Sequence, residues 1–145
     1  MRPHALPEAL RHCGELHLQH VDDGSDGFLA IAEHTRSIPF PIRRVYWITH
    51  LGNPDAVRGE HAHKTLQQAL FCVNGAFELE LDDGALRTSL VLDRPDRGIY
   101  LGPGVWHTMR RFSPDCVILV LASALYDEAD YLRDYATFLA HVTPG

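Results

Sequence analysis

The stretch LQQALFCVNGAFELELDDG, residues 66–84, reads as two strands around Asn74 and Gly75. Asn-Gly supplies the positive φ angles of a tight type I′ turn, and both flanks are apolar, so the spacing predicts a β-hairpin. Along the second strand Phe77, Leu79 and Leu81 alternate with Glu78 and Glu80, a period of two that buries one face and leaves the other wet or lining a pocket. The same rhythm extends in both directions. Short apolar or alternating runs at 15–20, 28–33, 44–49, 88–92, 98–101 and 117–122 are separated by turn signals at Asp23-Gly24, Asp26-Gly27, Gly52-Asn53-Pro54 and Asp83-Gly84. Such runs predict an all-β fold, a small antiparallel barrel or sandwich. Only the end changes period. In YDEADYLRDYATFLAHV, residues 126–142, Tyr131, Tyr135, Phe138 and Val142 recur at helical steps and predict a C-terminal α-helix, with Asp127 and Glu128 at its positive end.

The chain has 145 residues, enough for one core and too few for two. Residues 1–14, with two prolines and little periodicity, are expected to form a flexible N-terminal arm, and residues 15–145 a single domain. A composition 46% hydrophobic and 22% charged is that of a globular protein. Thirteen Lys and Arg against nineteen Asp and Glu give a net charge of −6, which speaks against nucleic acid or an anionic membrane as a partner. The three cysteines, Cys13, Cys72 and Cys116, are far apart and show no C-x-x-C spacing, which predicts reduced thiols and a cytoplasmic location. Cys72 and Cys116 lie in apolar runs and read as small hydrophobes, not nucleophiles. No run approaches the roughly 18–20 apolar residues that cross a bilayer.

The densest chemistry is Arg58-Gly59-Glu60-His61-Ala62-His63-Lys64. On an extended backbone His61 and His63 project to one face with Cα atoms roughly 6.5 Å apart. Two imidazoles facing one cavity can share a metal or flank a substrate. The order His61-x-His63-x3-Gln67, Gly75, Gly98-x4-Pro103-x3-His107 resembles the paired motifs of cupin barrels, which implies a cupin-type β-barrel or jelly roll. Metal-binding cupins usually carry Glu where this chain has Gln67. A neutral amide is a poorer ligand for a divalent cation than a carboxylate. The preferred reading is therefore two free histidines acting as acid and base near neutral pH, with no metal and no cofactor.

A longer series extends the comparison: Arg44-Val45-Tyr46-Trp47-Ile48, the Arg58 to Lys64 string, Gln67, Gly75, Leu81-Asp82-Asp83-Gly84, Trp106, Phe112-Ser113, Leu119-Val120-Leu121-Ala122-Ser123, and Tyr126-Asp127-Glu128-x-Asp130-Tyr131-x-Arg133-Asp134-Tyr135. In this order the strings resemble the sugar 3,4-ketoisomerase family, the WxcM-like group of cupins acting on dTDP-4-keto-6-deoxyhexoses. The resemblance implies a metal-free isomerase of deoxy- and amino-sugar biosynthesis and a homodimer, often formed by exchange of an N-terminal strand. It implies His61 and His63 as the proton-transfer residues and matches Tyr46, Arg44 and Arg58 to further family positions.

Moving a ketone from C4 to C3 means taking the proton on C3, passing through an enediol and delivering a proton to C4 while the hydroxyl proton is redistributed. His61, His63 and Tyr46 are the expected catalytic residues, the imidazoles moving protons and the Tyr46 hydroxyl meeting charge on the enediolate oxygens. Arg44, Arg58, Lys64, Trp106 and His107 are the expected substrate-binding residues; arginine suits the pyrophosphate because its planar fork makes paired hydrogen bonds. The tyrosines of 126–135 and Asp127, Glu128 and Asp130 read as helix caps and packing groups. The alternatives are a metal-dependent cupin enzyme and a non-catalytic nucleotide-sugar-binding cupin.

Overall fold

The structure is a computed structural model and describes residues 6, 7 and 9–144. Of the arm expected over 1–14, residues 1–5 and 8 lie outside the described residues. Leu10 is buried in the core, and Cys13 and Gly14 already belong to the first strand, β1 (Cys13–His17). The chain continues through β2 (Gln19–Asp22), β3 (Phe28–Ile31), β4 (Arg44–Ile48), β5 (Arg58–His63), β6 (Gln68–Asn74), β7 (Phe77–Asp82), β8 (Arg87–Leu92), β9 (Arg97–Leu101), β10 (Trp106–Arg110), β11 (Val117–Ala122), β12 (Tyr131–Leu132) and α1 (Tyr135–Val142). Two five-stranded sheets form, in the orders β1-β9-β6-β11-β4 and β12-β5-β10-β7-β8, and β2 pairs with β3 in a separate ribbon. The all-β fold with a C-terminal helix is as expected, arranged as a jelly roll of two sheets and not as a closed barrel.

The predicted hairpin at Asn74-Gly75 is not one. β6 pairs with β9 and β11, whereas β7 pairs with β8 and β10, so the chain crosses from one sheet to the other at this point. The corner is held by a different segment: Asn74 Nδ2 donates to the Asp115 carbonyl, and the Ala76 N–H donates to the Ser113 hydroxyl. Gly75 has φ 74°, and a Cβ there would fall within 2.2 Å of Ser113 Oγ, so the glycine serves a left-handed corner packed against another loop. The turn after β7 is a true hairpin. Asp83 Oδ1 there accepts from the backbone N–H groups of Ala85 and Leu86.

Leu70 and Cys72 of β6, Leu79 and Leu81 of β7, and Ile118 and Val120 of β11 pack between the sheets. The outer face of β6 is covered as well, because Ala69 and Phe71 lie under Ile38 and Phe40. β6 is therefore apolar on both faces, which is why its run reads as continuous and not alternating. Burial raises the Cys72 and Cys116 thiols above their ordinary range and keeps them protonated.

The helix is shorter than its periodicity predicts. Asp134 caps α1 by accepting from the Thr137 N–H at 2.9 Å, while Asp127 caps a separate 3-10 turn over Glu128–Asp130. Tyr131 and Leu132 pair with His63 and Ala62, so they alternate across a sheet edge and do not join the helical stripe. Leu132 faces outward into a cluster with Ala62 and the fully buried Phe138 of α1, while Tyr131 faces the histidines. Among the described residues no helix is long and apolar enough to cross a membrane.

Candidate active site

The local sequence Arg58-Gly59-Glu60-His61 builds a β-bulge. His61 pairs with His107 on β10, but the next pair is Gly59 with Thr108, so Glu60 is an extra residue on β5. Gly59 has φ 83°, and a Cβ there would lie 2.8 Å from the His107 carbonyl oxygen. The Gly59 carbonyl, turned by the bulge, lies 2.9 Å from His61 Nδ1. A carbonyl only accepts, so Nδ1 carries the hydrogen and Nε2 keeps its lone pair.

Three imidazoles meet on the inner face of this sheet. The His61 ring lies 5.0 Å from His63 and 4.5 Å from His107, both edge-on, and His63 and His107 are 6.3 Å apart. Burial lowers the pKa of His61, opposed by its bond to Gly59. His63 is pushed down to about 4 by burial and by His61, with Asp130 pulling the other way. Burial and the two neighbouring rings hold His107 well below the ordinary value. All three rings are neutral at pH 7. His63 is only 3% exposed, and neither of its ring nitrogens makes a hydrogen bond among the described residues. No three His, Cys, Asp or Glu side chains among the described residues are grouped as metal ligands.

Arg44, Tyr46, Arg58, His61, Tyr131 and Arg133 line a cavity of 320 Å³. Tyr46 OH accepts a hydrogen bond from Gln68 Nε2 at 2.9 Å. Its own O–H is left to donate, and burial raises its pKa so that it stays protonated. Arg44 lies 5.5 Å from the centre of the Tyr46 ring, with Nε buried and unpartnered. His63 opens instead onto a smaller cavity of 60 Å³, lined also by Arg44, Tyr131, Asp127 and Asp130. The two imidazoles expected to share one cavity thus open on adjoining ones, with Tyr131 and Arg44 bordering both. The Tyr131 ring is 4.9 Å from His61 and 4.3 Å from His63. Arg133 covers it at 4.1 Å and is itself held by Glu128 at 2.7 and 3.0 Å.

The structure therefore brings Arg44, Tyr46, Arg58, His61, His63 and His107 together. Trp106 is elsewhere. Strand alternation points it to the opposite face from His107, where it packs against Tyr135 at 5.2 Å and Phe138 at 5.5 Å under the helix. Lys64 leaves the site at the end of β5 and lines a groove with Arg11, His12 and His141. Gln67 accepts from the Tyr100 hydroxyl at 2.8 Å, and it is the next residue, Gln68, that reaches Tyr46. Tyr131 and Asp130 were read as helix caps and packing groups, and Arg133 was given no role; the signal that could have separated them is the alternation of Tyr131 and Leu132.

Known proteins resemble this chain along most of its length. The family described as FdtA, WxcM-like, C-terminal, matches residues 11–143. A TDP-4-oxo-6-deoxy-alpha-D-glucose-3,4-oxoisomerase from Aneurinibacillus thermoaerophilus is 48% identical over 118 residues, 81% of this chain and 84% of the relative. A mutant of the 3,4-ketoisomerase QdtA from Thermoanaerobacterium thermosaccharolyticum, solved in complex with TDP-4-keto-6-deoxyglucose, superposes with a TM-score of 0.88 at 38% identity, covering 92% of this chain and 95% of that one. A 3,4-ketoisomerase from Helicobacter canadensis gives 0.84 at 41% identity, over 90% and 96%. A match spanning nearly the whole described chain, from just before β1 to just past the end of α1, places this protein in the WxcM-like family.

Proposed function

We propose that the protein is a TDP-sugar 3,4-ketoisomerase that converts a TDP-4-keto-6-deoxyhexose to its 3-keto isomer without a metal. The observation that carries this reading is the neutral pair His61 and His63, 5.0 Å apart, His61 lining a cavity with Arg44, Tyr46 and Arg58 and His63 the adjoining one. The relatives named above act on, or were solved with, such sugars.

Neutral imidazoles can accept the C3 proton to give the enediolate, the C3 hydroxyl proton passes to O4, and the imidazolium formed returns a proton to C4, leaving the ketone at C3. Depressed pKa values suit this role in one respect: the base form is fully available at neutral pH. Charge building on the enediolate oxygens is met by the free O–H of Tyr46, with Arg44 beside it. Arg58, exposed at the cavity rim, takes the pyrophosphate. His107 packs against His61 and keeps its ring in place. For one sugar to reach both imidazoles, the Tyr131 ring has to swing out of the wall between the two cavities. Incubation with TDP-4-keto-6-deoxyglucose and EDTA, followed by NMR, should give the 3-keto sugar. An unchanged 4-ketone, or activity lost to the chelator, would overturn the proposal.

We also propose a homodimer. β4 is an edge strand, and its outward residues Val45 and Trp47 are 48% and 66% exposed. A bare edge carrying apolar side chains invites pairing with a second copy. Light scattering should show twice the chain mass, and Trp47→Glu should give a monomer. A wild-type monomer at micromolar concentration would refute this part.

A further inference from the structure

The mechanism above uses His63 but not the carboxylate beside it. Asp130 closes the 3-10 turn ahead of β12. Its Oδ1 accepts from the Thr65 N–H at 2.9 Å and the Thr65 hydroxyl at 2.6 Å, and its Oδ2 accepts from the Leu66 N–H at 3.1 Å. Its backbone carbonyl accepts from the Lys64 N–H at 2.9 Å. The turn leaving β5 is thus wrapped around this carboxylate, which is fixed before any ligand arrives. Oδ2 stands 3.4 Å from His63 Nδ1.

We infer that Asp130 is a positioning residue: it holds His63 as the Nδ1–H tautomer, leaving the Nε2 lone pair for substrate, and it stabilises the imidazolium formed when His63 takes a proton. The proton-transfer part rests on the proposed function; the tautomer does not. An ionised carboxylate only accepts, so the nitrogen facing it carries the hydrogen. Neither ring nitrogen makes a hydrogen bond among the described residues; Nδ1 has the Asp130 carboxylate 3.4 Å away, which leaves the buried Nε2 as the nitrogen for substrate.

The other groups around His63 oppose a positive charge or leave it unsupported. His61 lies 5.0 Å away on the same strand and His107 6.3 Å away on β10. Arg44 of β4 borders the same small cavity, and the Tyr131 ring of β12 covers one face. Asp127 also borders it, but its Oδ1 is engaged by the Ala129 N–H. The pair is therefore asymmetric. His61 Nδ1 faces a neutral carbonyl, whereas His63 Nδ1 faces an anion. His63 is the better suited of the two to carry a proton through the enediol stage.

The test is nitrogen-15 NMR of histidine-labelled, unliganded protein across pH, on wild type and Asp130→Asn. The amide keeps an acceptor for Thr65 but removes the charge. Wild-type His63 should show a protonated Nδ1 and a bare Nε2. In D130N that preference should fade, and the His63 titration midpoint should move to lower pH. Turnover should fall by about 10-fold or more, because the imidazolium formed on His63 loses the anion that supports it. The acid limb of kcat/KM should move down with the NMR midpoint; a merely structural role would lower the melting temperature and leave both in place. A wild-type His63 protonated on Nε2, or a folded D130N with an unmoved midpoint, would overturn the inference. The wild-type tautomer decides alone if D130N does not fold. If the tautomer is as stated and no keto sugar is turned over, the functional reading fails while the tautomer assignment stands.

Discussion

Replacing Gly59 by Ala strikes the site through the backbone. The residue has φ 83°, and the new Cβ would lie 2.8 Å from the His107 carbonyl oxygen and 3.3 Å from His107 Cδ2. An L-residue in the left-handed region costs about 1–2 kcal/mol. The close contact is with backbone, which cannot rotate away, so relief requires β5 to move, at a further cost of about 1–3 kcal/mol. Against a total stability of about 5–15 kcal/mol the fold survives. The melting temperature should drop by roughly 5–15 °C. The displaced Gly59 carbonyl is the group that orients His61, at 2.9 Å. A shift of about 1 Å in a reacting group can cost about 100-fold, so kcat should fall by about 10- to 100-fold in G59A. Thermal unfolding followed by circular dichroism and steady-state turnover measure the two effects. A G59A protein that melts and turns over like wild type would refute the account of the bulge.

Arg58→Ala should raise KM for the TDP-sugar by about tenfold or more with kcat little changed, since a charge-assisted bond to phosphate is worth about 1.5–3 kcal/mol and the side chain is exposed; initial-rate kinetics check the split. Phe138→Ala should unseat α1 from Ala62 and Leu132 and cost about 3–5 kcal/mol in urea unfolding. Stability should also fall in acid. His63 titrates at about 4 in the folded chain and near the ordinary 6.5 when unfolded, so the unfolded state binds more protons between these values. The His63 contribution is full above pH 6.5 and is lost progressively as pH falls towards 4. Melting temperatures measured over that window should decline, and a flat profile would contradict the buried neutral ring.

Much of the fold was legible because period-two alternation survives wherever one strand face meets the core, as in Phe77, Leu79 and Leu81. Asn74-Gly75 misled because positive φ is needed both by a tight hairpin and by a corner between sheets, and only distant groups, Ser113 and Asp115, distinguish the two. Tyr131 misled for a related reason: its distance from Tyr135 fits a helix, yet the cap of that helix is Asp134, seven residues after Asp127. The histidine pair was visible from its own spacing. Its partners were not, since Gln68, Tyr131 and Asp130 reach the site through strand pairing that no local pattern encodes. Trp106 was misplaced because β10 was not recognised as a strand, and with it the alternation that sends Trp106 to the helix side and His107 to the inner face.

The most direct test of the central claim replaces each imidazole in turn and follows the sugar in D₂O by NMR. Wild type should yield the 3-keto sugar carrying deuterium at C4, while His61→Asn and His63→Asn should still bind TDP yet lose about 100-fold or more in turnover. Either variant converting the 4-ketone at the wild-type rate would contradict proton transfer by these two rings.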